Sequence, residues 1–164
     1  MHPELELLSS RVGDRLSKTR QTVAAAESCT GGLLSHVLTS VSGSSGYFIG
    51  GVVAYSNQVK EAVLGVQPET LQAFGAVSEQ TAQEMAEGVR RALKTDIGLS
   101  TTGIAGPTGG TPEKPVGLVW IGISTSEGTQ AFECHFKADR EGVKNLTVET
   151  LLRKLLEKLI PSKG

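Results

Sequence analysis

Residues 22–39 read TVAAAESCTGGLLSHVLT, and this stretch decides the fold. Thr22–Ala26 is a short run of small and β-branched residues without a charge, the pattern of a buried strand. Glu27-Ser28-Cys29-Thr30-Gly31-Gly32 follows at once, and a cluster of hydroxyls and glycines marks a loop. Leu33–Thr39 then reads as a helix. The unit is strand, loop, helix, and it puts a serine on the turn where the strand ends.

Working outward, Leu5, Leu8, Val12 and Leu16 recur at helical spacing between Glu4 and Lys18, giving an amphipathic first helix. Tyr47–Tyr55 (YFIGGVVAY) is aromatic and β-branched around Gly50-Gly51, a strand with a bulge or a close backbone approach, and a helix starts just beyond it. Ser78 is an N-cap, and Ala82, Met85, Ala86, Val89 and Leu93 form one face of the helix that follows. Ile97–Thr101 is another short strand. It runs into Thr102–Pro115 (TGIAGPTGGTPEKP), a long loop by its glycines and prolines. Leu118–Thr125 and Gln130–Phe136 make a hairpin through Ser126-Glu127-Gly128-Thr129, and Asp139 opens a final Leu-rich helix. Alternating strands and helices followed by a hairpin predict an α/β protein, a three-layer α/β/α sandwich with a mixed parallel and antiparallel sheet. One domain is expected over residues 1–164. In such a sheet the loops after Ala26, Tyr55 and Thr101 gather along one edge.

At 164 residues the chain is long enough to carry its own core, and 38% hydrophobic with 20% charged residues speaks against disorder. A net charge of -1 supplies no basic field for a phosphate backbone, so nucleic acid is not expected as a partner. There is no apolar run long enough for a membrane span, and residues 1–10 lack the order of a signal peptide, which makes the cytoplasm the expected location. Cys29 and Cys134 are too few for a disulfide framework, and the three histidines show no metal spacing. Glycine clusters in three places without a period, so a repeat architecture is not expected.

Those clusters hold the candidate chemistry. At the first, backbone N–H groups beside Ser28 can face an anion or a developing oxyanion. The same spacing also suits Ser28 or Thr30 as the N-cap of the next helix, the commoner outcome for such residues. Cys29 competes as a nucleophile. A catalytic thiol calls for a histidine, however, and His2, His36 and His135 fall at the terminus, in a helix and in a hairpin strand. Ser28 is therefore preferred.

The second cluster is Tyr55-Ser56-Asn57-Gln58-Val59-Lys60, with Lys60 about one turn into a helix. A lysine acts as a base only when neutral, which requires burial or neighbouring positive charge, whereas burial statistics alone place a lysine at the surface. Tyr55 suits stacking on a flat ring or proton relay, and Asn57 suits a helix cap or a ligand amide; core packing and capping are the ordinary roles of both. Gly31, not lysine, stands three residues beyond Ser28, so any Ser/Lys pair is assembled from separate loops. In the third cluster, Thr102-Gly103-Ile104-Ala105-Gly106-Pro107, glycines let backbone amides approach a substrate, and Thr102 is placed to orient nucleophile or base. A glycine-rich loop serves as a plain connection about as often.

Taken together, ESCTGG at 27–32, YSN with Lys60 at 55–60, GAVS at 75–78 and TGIAGPTGGTPEKPVG at 102–117 resemble the CinA C-terminal domain family, over nearly the whole chain from Leu5 to Leu159. That family includes nicotinamide-nucleotide amidases of the PncC type. The resemblance implies hydrolysis of nicotinamide mononucleotide to nicotinate mononucleotide and ammonia, a step of pyridine nucleotide salvage. It implies an α/β/α sandwich that forms a homo-oligomer and uses neither metal nor cofactor. Carried over, Ser28 matches the nucleophile, Lys60 the base, and Thr102 with Gly103 the neighbouring loop. Tyr55 and Asn57 match the pocket motif; Cys29, Thr30, Gly31, Ala105 and Gly106 sit in the matching loops. Arg140 fits an arginine near the start of the last helix, whereas Lys144-Asn145 departs from the more arginine-rich pattern. The amides of residues 106–111, Lys114 and Arg140 are the candidate phosphate donors. Some members carry a preceding cofactor-related domain, and the short lead before the first motif here matches the stand-alone form. The alternative is a nucleotide-binding or interaction module without turnover, associated with DNA-uptake or repair proteins.

Overall fold

A strand of Val and Ala closed by a glutamate can bury every residue only if sheet lies on both sides and helices cover both faces. β1 (Val23–Glu27) does so, as the second strand of a five-stranded sheet ordered β2-β1-β3-β4-β5. The computed structural model describes residues 1–159, so residues 160–164 of the expected domain lie outside the described residues. β2 (Phe48–Val53) and β3 (Ile97–Gly103) flank β1 in parallel; β4 (Leu118–Thr125) and β5 (Gly128–His135) continue antiparallel. The helices are α1 (Pro3–Thr19), α2 (Leu33–Thr39), α3 (Asn57–Leu64), α4 (Pro68–Phe74), α5 (Glu79–Leu93) and α6 (Arg140–Leu159). The expected three-layer α/β/α sandwich with a mixed sheet is the architecture found.

Period-2 alternation divides the core between the two faces. Val23 and Ala25 of β1, Ile97 and Leu99 of β3, and Val119, Ile121 and Ile123 of β4 face the layer built from α1, α2 and α6. Ala24 and Ala26 face the opposite layer, with Leu64, Leu71, Met85 and Val89 from α3, α4 and α5. On that second face the sheet is lined with small residues so that α5 can lie close. A Cβ on Gly98 would overlap the Ala86 carbonyl, one on Gly122 would stand 2.7 Å from the Ala82 carbonyl, and Ser100 Oγ donates to Ala82 O at 2.6 Å.

The local signals work as capping physics requires. Ser78 Oγ accepts from the Thr81 amide at α5, and Asp139 Oδ1 accepts from the Gly142 amide at α6. Ser56, not Asn57, caps α3, its Oγ accepting from Val59 N. The expected irregularity in β2 is present: Val23 pairs with Phe48 and Ala24 with Gly50, leaving Ile49 extra. A Cβ on Gly51 would stand 2.6 Å from Ser35 Oγ, which is the close approach anticipated there.

Two expectations are corrected, and one helix is added. β3 continues through Thr102 and Gly103, which pair with Trp120 and Val119 of β4, so sheet pairing claims the first two residues of the expected loop. The hairpin turn is only Ser126-Glu127, because Gly128 already pairs with Thr125. α4 was not anticipated, since its seven residues bury only Leu71 and offer no apolar stripe to read.

The connection from β1 to β2 carries α2 on one face of the sheet, and the connection from β2 to β3 carries α3, α4 and α5 on the other. The chain thus leaves the neighbouring strands β1 and β2 toward opposite faces, and a crevice opens at their carboxyl ends. The loops after β1, β2 and β3 gather around it. Among the described residues, no helix is long and apolar enough to cross a membrane.

Where α3 crosses α5, a Cβ on Gly88 would overlap the carbonyl of Leu64. Helix propensity alone would reward Gly88→Ala by about 1 kcal/mol. The crossing reverses that sign: the variant loses about 1–3 kcal/mol through overpacking, read as a lower urea midpoint.

Candidate active site

The site begins with a charge the core has to accommodate. Glu27, the last residue of β1, is fully buried, and a buried carboxylate is tolerated only when hydrogen-bonded. Its Oε1 accepts from Thr30 Oγ1 (2.5 Å), Gly32 N (3.2 Å) and Leu34 N (2.8 Å); its Oε2 accepts from Ser35 N (2.9 Å) and Ser35 Oγ (2.8 Å). The amides of Gly32, Leu34 and Ser35 at the start of α2 are thus taken by Glu27. The residue at the cap position is Gly32, at φ 109, so neither Ser28 nor Thr30 acts as the helix cap. Thr30 is fully buried, its hydroxyl held between Glu27 and Thr101 Oγ1 (2.7 Å).

Ser28 follows with its amide donating to the Thr101 carbonyl at 2.9 Å, which fixes the serine against the end of β3. Lys60 sits in α3 one turn before Leu64, in the inward stripe where an apolar residue is usual, and is 1% exposed. Helical side chains lean toward the N-terminus, and Lys60 reaches back past its own first turn. Its Nζ lies 3.0 Å from Ser28 Oγ, 2.9 Å from Ala54 O and 3.4 Å from Tyr55 O. Burial lowers the Lys60 pKa from its ordinary value of 10.5. A neutral amine has two N–H donors and one lone pair, which matches two carbonyls and one serine hydroxyl. Such a pair can pass the serine proton to the amine.

Cys29 stands beside this pair, but burial, with the Glu27 carboxylate adding to the effect, pushes its thiol up to about 12. It remains a thiol at neutral pH. Among the described residues no histidine lines the cleft: His36 and His2 share a different groove, and His135 pairs with Glu133 on exposed β5.

An open cleft of about 360 Å³ contains Ser28 and Lys60, and Cys29, Tyr55, Asn57, Thr102, Gly103, Ala105, Gly106 and Arg140 also line it. Thr30 and Gly31 do not. Thr102 makes no hydrogen bond to Ser28 or Lys60; its hydroxyl donates to Ala76 O at 2.7 Å, which ties it to the cleft wall. Arg140, the first residue of α6, donates to Gly106 O (2.7 Å) and to the Tyr55 hydroxyl (3.0 Å), tying two of the loops together. Lys144 lies one turn further along α6, its Nζ 3.6 Å from where a Cβ on Gly31 would be.

Residue-level reading missed Glu27, Thr101, and the wall formed by Ala76 and Val77 between α4 and α5. Glu27 carried a faint signal, a charge closing an otherwise apolar strand. The wall carried one only in the GAVS motif.

An α/β/α sandwich with a buried Ser–Lys pair at the carboxyl end of a central strand is the class that fold and cleft define. The CinA C-terminal domain profile matches residues 5–159, and the chain belongs to that family. It is 52% identical over 158 residues to a CinA-like protein of Rippkaea orientalis, covering 94% of this chain and 38% of that protein. It is likewise 52% identical over 145 residues to a CinA-like protein of Salinibacter ruber, covering 88% of this chain and 35% of that one. The chain therefore spans little more than a third of the length of these curated relatives. Among solved structures, competence/damage inducible protein CihA from Agrobacterium tumefaciens superposes with a TM-score of 0.93 at 39% identity, covering 96% of both chains. A CinA superfamily protein from Escherichia coli gives 0.91 at 33% identity, covering 94% of this chain and 90% of that one.

The lowered Lys60 pKa has a consequence for stability. Between the folded value and 10.5 the unfolded chain binds more protons, so stability rises with pH across that interval. The penalty is complete below the folded value and gone above 10.5. Lys60→Met cannot titrate. Denaturant midpoints should show the wild type gaining on this variant as pH climbs toward 10.5, whereas a flat difference would mean that the amine titrates as a free lysine does.

Proposed function

We propose that this chain is an amidohydrolase that converts nicotinamide mononucleotide to nicotinate mononucleotide and ammonia through an acyl-enzyme on Ser28. The observation that carries the reading is the buried Lys60 amine 3.0 Å from Ser28 Oγ, with two carbonyls to occupy its N–H groups. Lys60 takes the serine proton as Oγ bonds to the carboxamide carbon, which the cationic pyridinium ring makes more electrophilic. The backbone N–H of Cys29, which follows the nucleophile and lines the cleft, holds the oxyanion; among the described residues it donates to no other residue. When the C–N bond breaks, Lys60 returns the proton to the leaving nitrogen and ammonia departs. Water then attacks the ester, giving one proton to Lys60, which restores the Ser28 hydroxyl as the acid leaves.

The cleft has the volume of a small-molecule site, about 300–1,000 Å³ as a class. Arg140 lines the cleft and brings positive charge to it, where the substrate phosphate needs donors. The base and the oxyanion donor come from the chain itself, so the reading calls for neither metal nor cofactor. As part of the same reading the protein works in the cytoplasm as a homo-oligomer.

Purified protein with nicotinamide mononucleotide tests this through ammonia release. Ser28→Ala should lose about 10³-fold or more of kcat, while Cys29→Ala keeps most of it. The reverse pattern would make Cys29 the nucleophile. The alkaline rise of kcat/KM should fall below 10.5, the ordinary lysine value, because Lys60 must be neutral. Among nicotinamide, its riboside and its mononucleotide, the last should have the highest kcat/KM. Calorimetry that finds the mononucleotide bound and intact after long incubation would favour a binding module linked to competence or repair.

A further inference from the structure

We propose that Glu27 is a positioning residue of the Ser28 site, whose buried carboxylate absorbs amides at the start of α2 and so folds the loop that leaves the Cys29 N–H, next to the nucleophile in the cleft, free for an oxyanion. The inference deepens the amidohydrolase reading and rests on it for the substrate, but not for the reactivity of Ser28.

The argument is an accounting of amides, since buried backbone donors are almost always paired. From Ser28 to His36, Ser28 N donates to Thr101 O, Gly31 N to Ser28 O, Leu33 N to Thr30 O and His36 N to Gly32 O. Gly32, Leu34 and Ser35 donate to Glu27. The Cys29 and Thr30 amides donate to no other residue among the described residues, and of these two residues Cys29 lines the cleft while Thr30 does not. The Cys29 amide comes immediately after the nucleophile, a place suited to holding an anion that develops on the group Ser28 attacks. A neutral amide cannot replace the carboxylate, because an NH₂ group cannot accept the bonds that one oxygen of Glu27 now takes. The negative charge also cancels the positive end of α2, so a substrate phosphate is not drawn there in competition with the reacting group.

Diisopropyl fluorophosphate tests the geometry without reference to the natural substrate. Ser28 Oγ bonds to phosphorus, the P–F bond breaks, fluoride leaves and Lys60 accepts the serine proton. Wild type should be modified at Ser28, identified by peptide mass. Glu27→Gln should react at least about tenfold more slowly, below the 10²- to 10³-fold cost of losing one oxyanion donor outright. Its kcat for nicotinamide mononucleotide should fall by a similar factor with KM unchanged. The pH midpoint of labelling should stay in place, because Glu27 bonds neither Lys60 nor the Ser28 hydroxyl; a general loosening of the site would move KM and that midpoint together.

Equal labelling rates in Glu27→Gln and wild type would overturn the proposal. If that variant does not fold, Thr30→Val removes one of the five donors with little change of shape and is read by the same two outcomes. Wild type that labels at Ser28 but leaves the mononucleotide intact would refute the substrate and not the role of Glu27. Undiminished turnover in Glu27→Gln would do the opposite, and a wild type that does not label at Ser28 would remove both.

Discussion

The Glu27 carboxylate ends a strand of small apolar residues inside the core and gathers five donors from the next eight residues. Without those bonds a buried anion would cost several kcal/mol, so the chain after β1 has one arrangement that suits it. That arrangement starts α2 at a fixed place and angle. It brings Thr30 against Thr101 and, together with the Ser28 amide, locks the loop to β3. The serine is thereby presented on a short turn held from both sides by hydrogen bonds.

The second constraint is the thinness of the α5 face of the sheet. Gly98, Ser100 and Gly122 let α5 approach closely, and Gly88 lets α3 cross α5 with its backbone almost in contact. That crossing sets the inward stripe of α3, which contains Lys60 and Leu64. Lysine stem methylenes fill an apolar position while the amine reaches the carbonyls at the helix start. The packing that stabilises the domain is thus what desolvates the base. The Ser28–Lys60 contact, between residues 32 apart in sequence, depends on both constraints together.

Much of the architecture was legible because the signals were local. The apolar stripe of α1, the Ser78 cap of α5, the Asp139 cap of α6 and the small-residue run of β1 each arise within a few residues. Where pairing partners decided, the reading slipped: β3 takes in Thr102 and Gly103 because β4 lies opposite them, and α4 forms with only one buried side chain. At the site, the three motif loops were visible. The hydrogen bond of Thr102 to Ala76 was not, since the α4–α5 connection reaches the cleft only in the folded chain.

By itself the sequence determined that a Ser-Cys-Thr-Gly-Gly turn lies at a strand's carboxyl end, that two more loops end neighbouring strands, and that their joint pattern belongs to one family. Spacing left Ser28 open as a helix cap and Lys60 as a surface charge, because capping and exposure are the usual fates of such residues. Only the tertiary structure decided otherwise. Glu27 took the capping role by reaching from β1 to the amides of α2, and the α3–α5 crossing took Lys60 out of water. Both are contacts between separate elements, and the energies of burial and of a satisfied buried charge exist only once those elements are packed.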